Sequence, residues 1–283
     1  MCFLMRSTKG FLARAIESDL AAILTECPSA ELTAGPVYRK AAYFTWSGRG
    51  PVVLLTRDLS PQPWAVVTDD IEFSEGASSD ALFILKGRLF WRNHELFINP
   101  NETNIFDSSI PDLSQVWHPV YLEQARTLGW SALIESLVSQ AGPLGQLLSD
   151  RIILLQQGLC SFDLSLVKAA VSSLVGLGYG VTPTGDDFLT GFLSIMAAKK
   201  HPYFNVLSDA IMELILESNE ITTVPGGVSL WHACHGRFAK VITDTVLAIN
   251  GFGDIEAAIR SLVSVGHTSG RDILAGIVHG VLY

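Results

Sequence analysis

Two kinds of apolar spacing divide the chain. Between Val37 and Phe97 the apolar residues come in short runs broken by turn residues. Val37 to Trp46 is rich in aromatics, Ser47-Gly48-Arg49-Gly50 is a turn, and Pro51 to Thr56 is a β-branched run, which is a hairpin pattern with a four-residue loop. Trp64 to Thr68 is a further run. Ala81–Leu85 and Leu89–Trp91 flank Lys86-Gly87-Arg88, and Glu95 to Ile98 closes the series. Strands at this spacing predict a small antiparallel sheet or barrel. Ahead of them Phe11, Ala15 and Ile16, then Leu20, Ile23 and Leu24, recur at helical spacing and predict a leading helix.

From Tyr121 onward the period is helical. Leu122, Ala125, Leu128 and Leu133 fit one face, and Leu164, Val167, Val171, Leu174 and Val175 a second. Ile211, Leu214 and Ile215 make a third, and Phe238, Val241, Ile242, Thr245 and Val246 a fourth. Eight of the 12 prolines precede residue 120, so the first part is the more broken one. The stretch Asn99–Pro119, rich in Asn, Asp, Ser and Pro, reads as the linker. The expected fold class is α+β: a β-rich region over 1–110 with a leading helix, then an α-helical region over 120–283.

Composition narrows the function classes. Of the 283 residues 48% are hydrophobic, ample for a core, so disorder is excluded. Only 17% are charged; Lys and Arg number 19 against 28 Asp and Glu, a net charge of −9. Nucleic-acid binding draws on many cations, so no nucleic-acid partner is expected. The longest apolar stretch, Phe188–Ala198, is interrupted by Thr190, Gly191 and Ser194 and is too short to span a bilayer. Near the N-terminus the basic residue Arg6 follows the apolar ones, unlike a signal peptide. Cys2, Cys27, Cys160 and Cys234 are far apart and form no C-x-x-C, so a reducing cytoplasm is expected and no membrane association.

The chemistry concentrates in an internal repeat. Thr184-Gly185-Asp186-Asp187-Phe188-Leu189-Thr190-Gly191-Phe192 and Ser269-Gly270-Arg271-Asp272-Ile273-Leu274-Ala275-Gly276-Ile277 share the pattern [ST]-G-x-D-x-L-x-G-apolar, 85 residues apart. A hydroxyl three residues before a carboxylate resembles a capping box, so Thr184 and Ser269 are expected as N-caps, with Asp187 and Asp272 at N3 facing the positive helix end. Gly191 and Gly276 lie about two turns in, where glycine is unfavourable unless another helix packs closely. Gly176-Leu-Gly178-Tyr-Gly180-Val-Thr182-Pro precedes the first helix start and Gly266-His267-Thr268 the second. Glycines, hydroxyls and backbone N–H groups at a helix start form an anion site. Two such starts facing each other make a compact polar pocket; alternatively, they are two capped helices that need no ligand. Asp186 and Asp187 oppose an anion unless they point away or are neutralised. The acidic pair could instead hold Mg²⁺, or orient an amine or amide.

Four other features stand beside the repeat. Thr222-Thr223 before Pro225-Gly226-Gly227-Val228-Ser229 enter a helix, and Ser229 is either a pocket hydroxyl or a cap. His232 and His235, three apart around Cys234, could share a helical face, but no third ligand is evident and no metal site is assigned. Arg237 is either a substrate contact or solvated. His267, in a glycine–hydroxyl loop, is the best candidate for acid–base work or carbonyl polarisation, against the alternative of a structural histidine. No G-x-S-x-G and no Walker A is present.

These motifs resemble a known family. Gly178-Tyr-Gly-Val-Thr-Pro-Thr-Gly-Asp-Asp-Phe-Leu-Thr-Gly191, then Thr222-Thr223, Ser229 and Gly266-His-Thr-Ser-Gly-Arg-Asp-Ile-Leu-Ala-Gly276, are similar to the AllH-type family, long catalogued as a domain of unknown function. One branch is a subunit of oxamate carbamoyltransferase in anaerobic allantoin degradation, a part of purine catabolism. The resemblance implies interconversion of oxalurate plus phosphate with oxamate plus carbamoyl phosphate, together with partner subunits. It implies small anionic substrates, with Thr182, Thr184, Gly185, Thr268, Ser269 and Gly270 supplying hydroxyl and backbone donors. His267 would polarise a carbonyl or move a proton, Asp187 and Asp272 would hold the loops, and Asp186 would face the amide nitrogen or a metal. Arg271 occupies a variable position of the second motif. A non-catalytic anion-binding or regulatory protein of the same family is the alternative.

Overall fold

The computed structural model describes residues 10–69, 73, 80–92, 94–117, 127, 143–218 and 220–282. It divides into two compact units, 1–108 and 109–283.

Among the described residues the first unit is a nine-stranded barrel with one helix. Its strands are β1 (Gly10–Glu17), β2 (Ser29–Tyr38), β3 (Ala41–Trp46), β4 (Gly50–Thr56), β5 (Ala65–Thr68), β6 (Leu82–Leu85), β7 (Arg88–Trp91), β8 (His94–Phe97) and β9 (Asn104–Phe106); α1 is Ser18–Glu26. The order is β5-β4-β3-β2-β6-β7-β8-β1-β9, and β1 also pairs with β5, which closes the barrel. The pairing is mixed rather than purely antiparallel. β1 runs parallel to β8 and β9, and β4 runs parallel to β5.

The predicted leading helix is thus displaced. Phe11, Ala15 and Ile16 belong to β1, and only Leu20, Ile23 and Leu24 are helical. β1 is the seam of the barrel, held on both edges by strands remote in sequence, and that tertiary pairing overrides a locally ambiguous apolar spacing. Buried Glu17 ends β1 and starts α1. Its carboxylate accepts the Leu20 N–H at 3.0 Å and the Ser108 hydroxyl at 3.0 Å. β2 carries Gly35-Pro36 inside a strand, tolerated because the register with β3 shifts between Ala34 and Val37, where the missing proline N–H breaks no ladder bond. β9 lies within the stretch read as linker, aligned there by the Thr103 hydroxyl on the Ala13 carbonyl at 2.6 Å. The core, with Ile16, Leu54, Val66, Leu82, Leu89 and Trp91, is joined by Leu20 and Leu24 of α1.

The second unit is helical: α2 (Pro143–Ser161), α3 (Leu164–Leu174), α4 (Thr184–Ala198), α5 (Tyr203–Glu217), α6 (Val224–Cys234), α7 (Lys240–Ile249), α8 (Ile255–Val263) and α9 (Ser269–Val281). The helix predicted from Leu122, Ala125, Leu128 and Leu133 lies outside the described residues. Residues from Ser109 onward already belong to this unit: the Leu113 N–H donates to the Ala198 carbonyl at 2.9 Å, and Leu113 is buried in the helical core. Asp163 caps α3 through the N–H groups of Ser165 and Leu166 at 2.9 and 3.1 Å. An Asp163→Ala variant is expected to lose about 1 kcal/mol of stability by urea titration, the usual effect of removing such a cap. No helix among the described residues is long and apolar enough to cross a membrane.

The centre of the unit is α4 against α9. α4 is buried along nearly its whole length, and its glycines explain how the two helices approach. A Cβ at Gly191 would overlap the Ile273 carbonyl, and one at Gly276 would stand 2.8 Å from the Phe192 nitrogen and overlap the Phe188 carbonyl. In the 85-residue repeat Gly276 corresponds to Gly191, and Ile273 to Phe188. The two contacts are therefore the same contact made twice, as a local two-fold requires. Gly280 lies against its own repeat partner Ile195, with a Cβ there 2.8 Å from the Ile195 Cβ, so that pair sits on the pseudo-axis. Toward the other end, Asp187 and its repeat partner Asp272 interact. The pseudo-axis thus runs along the helix pair and brings both N-termini to one end.

Candidate functional site

Each repeat builds its helix start with the same joint. Gly185 presses on the Leu174 carbonyl at the end of α3 and donates its N–H to the Leu177 carbonyl at 2.8 Å. Gly270 presses on the Leu262 carbonyl near the end of α8 and donates to the Val265 carbonyl at 3.0 Å. This corrects one expectation. The Gly185 and Gly270 N–H groups bind the preceding loops rather than a ligand. Gly178 (φ 124°) and Gly266 (φ 60°) sit in left-handed conformations that let the approaches turn tightly into the helices. Gly180 also has positive φ (106°) and is exposed, beside the exposed Tyr179 and Val181.

The caps differ from the capping-box expectation. Pro183 and Thr268 occupy the N-cap positions, with no side-chain cap bond at either. Thr184 and Ser269 are the first helical residues, so Asp187 and Asp272 stand one position beyond N3. The Asp186 and Asp187 N–H groups reach the Pro183 carbonyl at 3.0 and 3.1 Å, and those of Arg271 and Asp272 reach the Thr268 carbonyl at 2.9 and 3.1 Å. Backbone turns close these starts, which releases the hydroxyls for other work.

Those hydroxyls converge on one carboxyl. The Thr182 hydroxyl meets Asp187 Oδ2 at 2.9 Å and the Ser269 hydroxyl at 2.8 Å, and Ser269 also bonds Asp187. A group from the first loop, one from the first helix and one from the second helix thus form a single cluster across the pseudo-axis. Asp187 is only 3% exposed, while Thr182 and Ser269 are half-buried. Burial pushes the Asp187 carboxyl up to about 8, its hydroxyl bonds oppose that shift, and the charges of Asp272 and Asp186 add to it.

Asp186 has a different task. It is fully buried. One oxygen accepts the Gly176 N–H at 2.7 Å and the other accepts the Thr222 hydroxyl. Burial raises its carboxyl to about 6, against those two hydrogen bonds. Both oxygens are engaged by the protein, so Asp186 ties the first glycine loop to the segment before α6 and is not placed to face a substrate nitrogen or Mg²⁺, as the sequence had suggested. Gly226 fits against it, since a Cβ there would strike its carboxylate. Thr223 caps α6 through the Gly226 N–H at 3.1 Å, and its hydroxyl donates to the Val181 carbonyl at 2.6 Å. The start of α6 is thereby fixed beside that of α4. Ser229 lies inside α6 and bonds the Thr190 hydroxyl at 3.2 Å, so it is neither cap nor rim group.

The remaining candidates separate. His267 is exposed in the loop before α9, and Thr268 beside it is half-buried. Thr184 is buried. His232 is buried, whereas His235 is exposed and stacks on Trp231, so the two do not share a face. Burial raises the Cys234 thiol to about 12, which removes it as a thiolate. Arg237 pairs through its backbone with Ser109. Among the described residues no three His, Cys, Asp or Glu side chains are grouped as metal ligands. A groove between α7 and α8, lined by Val241, Leu247, Phe252 and Ala257, carries Asp244 and Asp254 and so has the wrong charge for an anion.

The family model for oxamate carbamoyltransferase subunit AllH matches residues 174–281. This region is similar to the AllH family. The matched region begins at the last residue of α3 and ends at the last residue of α9. It therefore encloses both glycine loops, the three neighbouring helix starts and the Asp187 cluster. No solved structure matches the chain.

Proposed function

We propose that this chain is a subunit of a carbamoyltransferase that interconverts oxalurate plus phosphate with oxamate plus carbamoyl phosphate, and that its two pseudo-symmetric helix starts bind the small anionic reactants. One observation carries the reading: the AllH match runs over 174–281, the same residues that assemble both loops around Asp187. In the phosphorolysis direction a phosphate oxygen attacks the carbamoyl carbon, the bond to the oxamate nitrogen breaks, and that nitrogen takes up a proton. Such a reaction needs two anions held in register and donors for the developing carbonyl oxygen charge. The hydroxyls of Thr182, Thr268 and Ser269, at two helix starts with favourable dipoles, provide donors. Exposed His267 on the rim is available for the proton to the leaving nitrogen. As a subunit, the chain acts with partners in a complex.

Oxalurate phosphorolysis is the test, with the full chain alone and with its partner subunits. Turnover is expected in the complex. Thr182→Val and Ser269→Ala are each expected to lower kcat/KM about 100- to 1000-fold, the range for loss of one transition-state donor. A Gly270→Val variant is unsuitable, because Gly270 already touches the Leu262 carbonyl and the change would report on folding. If phosphate, carbamoyl phosphate, oxamate and oxalurate all leave the thermal midpoint of the wild-type chain unchanged, the anion site is wrong. A midpoint shift without turnover in the complex leaves an anion-binding subunit and removes the catalytic reading.

A further inference from the structure

A buried carboxyl at the heart of an anion site is a contradiction unless its charge is controlled, and the hydrogen-bond chain shows how. Thr182 and Ser269 each have one hydroxyl proton, and both bond Asp187. When Asp187 is ionised it only accepts, so both protons are held within the cluster, on Asp187 or in the Thr182–Ser269 bond, and none is left for the solvent side. When Asp187 carries a proton it can donate to Thr182, which can then donate to Ser269 across 2.8 Å. The Ser269 proton is freed to point outward. The protonation state of one buried group thus sets whether the half-buried hydroxyl pair has a proton free to donate outward.

We propose that anion binding between the two helix starts is coupled to uptake of one proton by Asp187, with the Thr182 hydroxyl turning to donate to Ser269 and the Ser269 proton thereby freed to donate to the bound anion. This rests on the reading of the helix starts as the anion site. Asp187 acts here as a positioning residue, through the hydroxyls rather than by touching the ligand. Its surroundings favour the neutral form. Asp186 on its own helix and Asp272 on α9 act on it with the same sign. The other titratable groups on α9 and α6, the helices packed most extensively on α4, are Arg271, His279, His232 and Cys234, whose thiol burial keeps protonated. His279 is buried edge-on against Phe188, and burial lowers its pKa, which keeps it neutral. His267 is exposed in the loop before α9. A bound anion adds a further negative charge and strengthens the preference for the protonated carboxyl.

Sulfate is the probe, because its charge is constant over the pH range used. Titration calorimetry of the full-length chain at pH 9, in two buffers of different ionisation heat, should show uptake of about one proton per sulfate, and at pH 6.5 almost none. The affinity should fall about thirtyfold between pH 6.5 and 9.5, as expected for one group titrating near pH 8. In Asp187→Asn, a permanently neutral isostere, the affinity should be nearly independent of pH over the same range. Sulfate binding with equal affinity at both pH values and no proton uptake overturns the proposal while leaving the anion site standing. No sulfate binding at any pH overturns the anion site itself. The calorimetry of the wild-type chain decides the matter even if the variant fails to fold.

Discussion

Gly276→Val is expected to abolish folding of the helical unit. Even the first side-chain atom at that position would overlap the Phe188 carbonyl and stand 2.8 Å from the Phe192 nitrogen. These are backbone atoms of a helix buried along nearly its whole length, so no rotamer change makes room. The helices would have to separate, and with them the reciprocal contact of Gly191 on Ile273 and the pair Gly280–Ile195. Overpacking that displaces one core helix from another belongs to the exceptional class of substitutions, above about 4 kcal/mol. That is a large fraction of the whole stability of a domain. Far-ultraviolet circular dichroism and urea titration would read it as loss of the helical signal at 25 °C. Gly48→Ala is the control. A Cβ there meets nothing within 4 Å, and only its positive φ of 73° opposes the change, at about 1 kcal/mol. If Gly276→Val folds with stability near that of Gly48→Ala, the close helix pair is wrong.

The helix pair was legible because the repeat is a local signal written twice. A glycine two turns into a helix, present at the same place in both copies, has few explanations besides close packing, and Gly191 and Gly276 proved to be each other's counterpart. The caps were misplaced by one residue, since Pro183 and Thr268 close the turns through their carbonyls and a carbonyl leaves no mark in the side-chain pattern. The strands were legible and a sheet or barrel was expected of them, but not which strands close it. β1 is sealed by β5, β8 and β9, and nothing in Phe11, Ala15 and Ile16 announces partners so far along the chain. β2 was hidden behind Gly35-Pro36, a turn signal that the structure uses as an irregularity in register. The conflict of Asp186 and Asp187 with an anion was visible in the sequence; its resolution was not. Burial decides it, and burial is a property of the packed helices rather than of the dipeptide.

Stability should fall as pH rises through neutrality, and Asp187→Asn should abolish most of that fall. An unfolded aspartate titrates near 4, whereas burial holds Asp187 near 8 in the folded chain. Below about pH 4 both states carry the proton and nothing is gained or lost. Between about 4 and 8 the unfolded chain releases the proton and the folded chain keeps it, so rising pH favours unfolding by up to about 1.4 kcal/mol per unit. Above about 8 both states are ionised and the loss levels off. Asp186, raised to about 6, adds a similar loss only up to that pH. Burial lowers His201 and His279, whose unfolded imidazoles titrate near 6.5 and oppose the fall, so it is the difference between wild type and Asp187→Asn over pH 6 to 8 that isolates Asp187, and urea titration should show that difference to be on the order of 3 kcal/mol. The histidine contribution is common to both proteins, so the variant, no more stable than wild type at pH 5, becomes the more stable protein at pH 9. Equal slopes in the two proteins would show that Asp187 ionises as freely in the folded chain as in the unfolded one. An asparagine would keep the bonds to Thr182 and Ser269 within reach and remove the penalty of a buried titrating group. A carboxyl at this position is thus unfavourable for stability near neutral pH, and that is the property expected of a group whose protonation is used by the site.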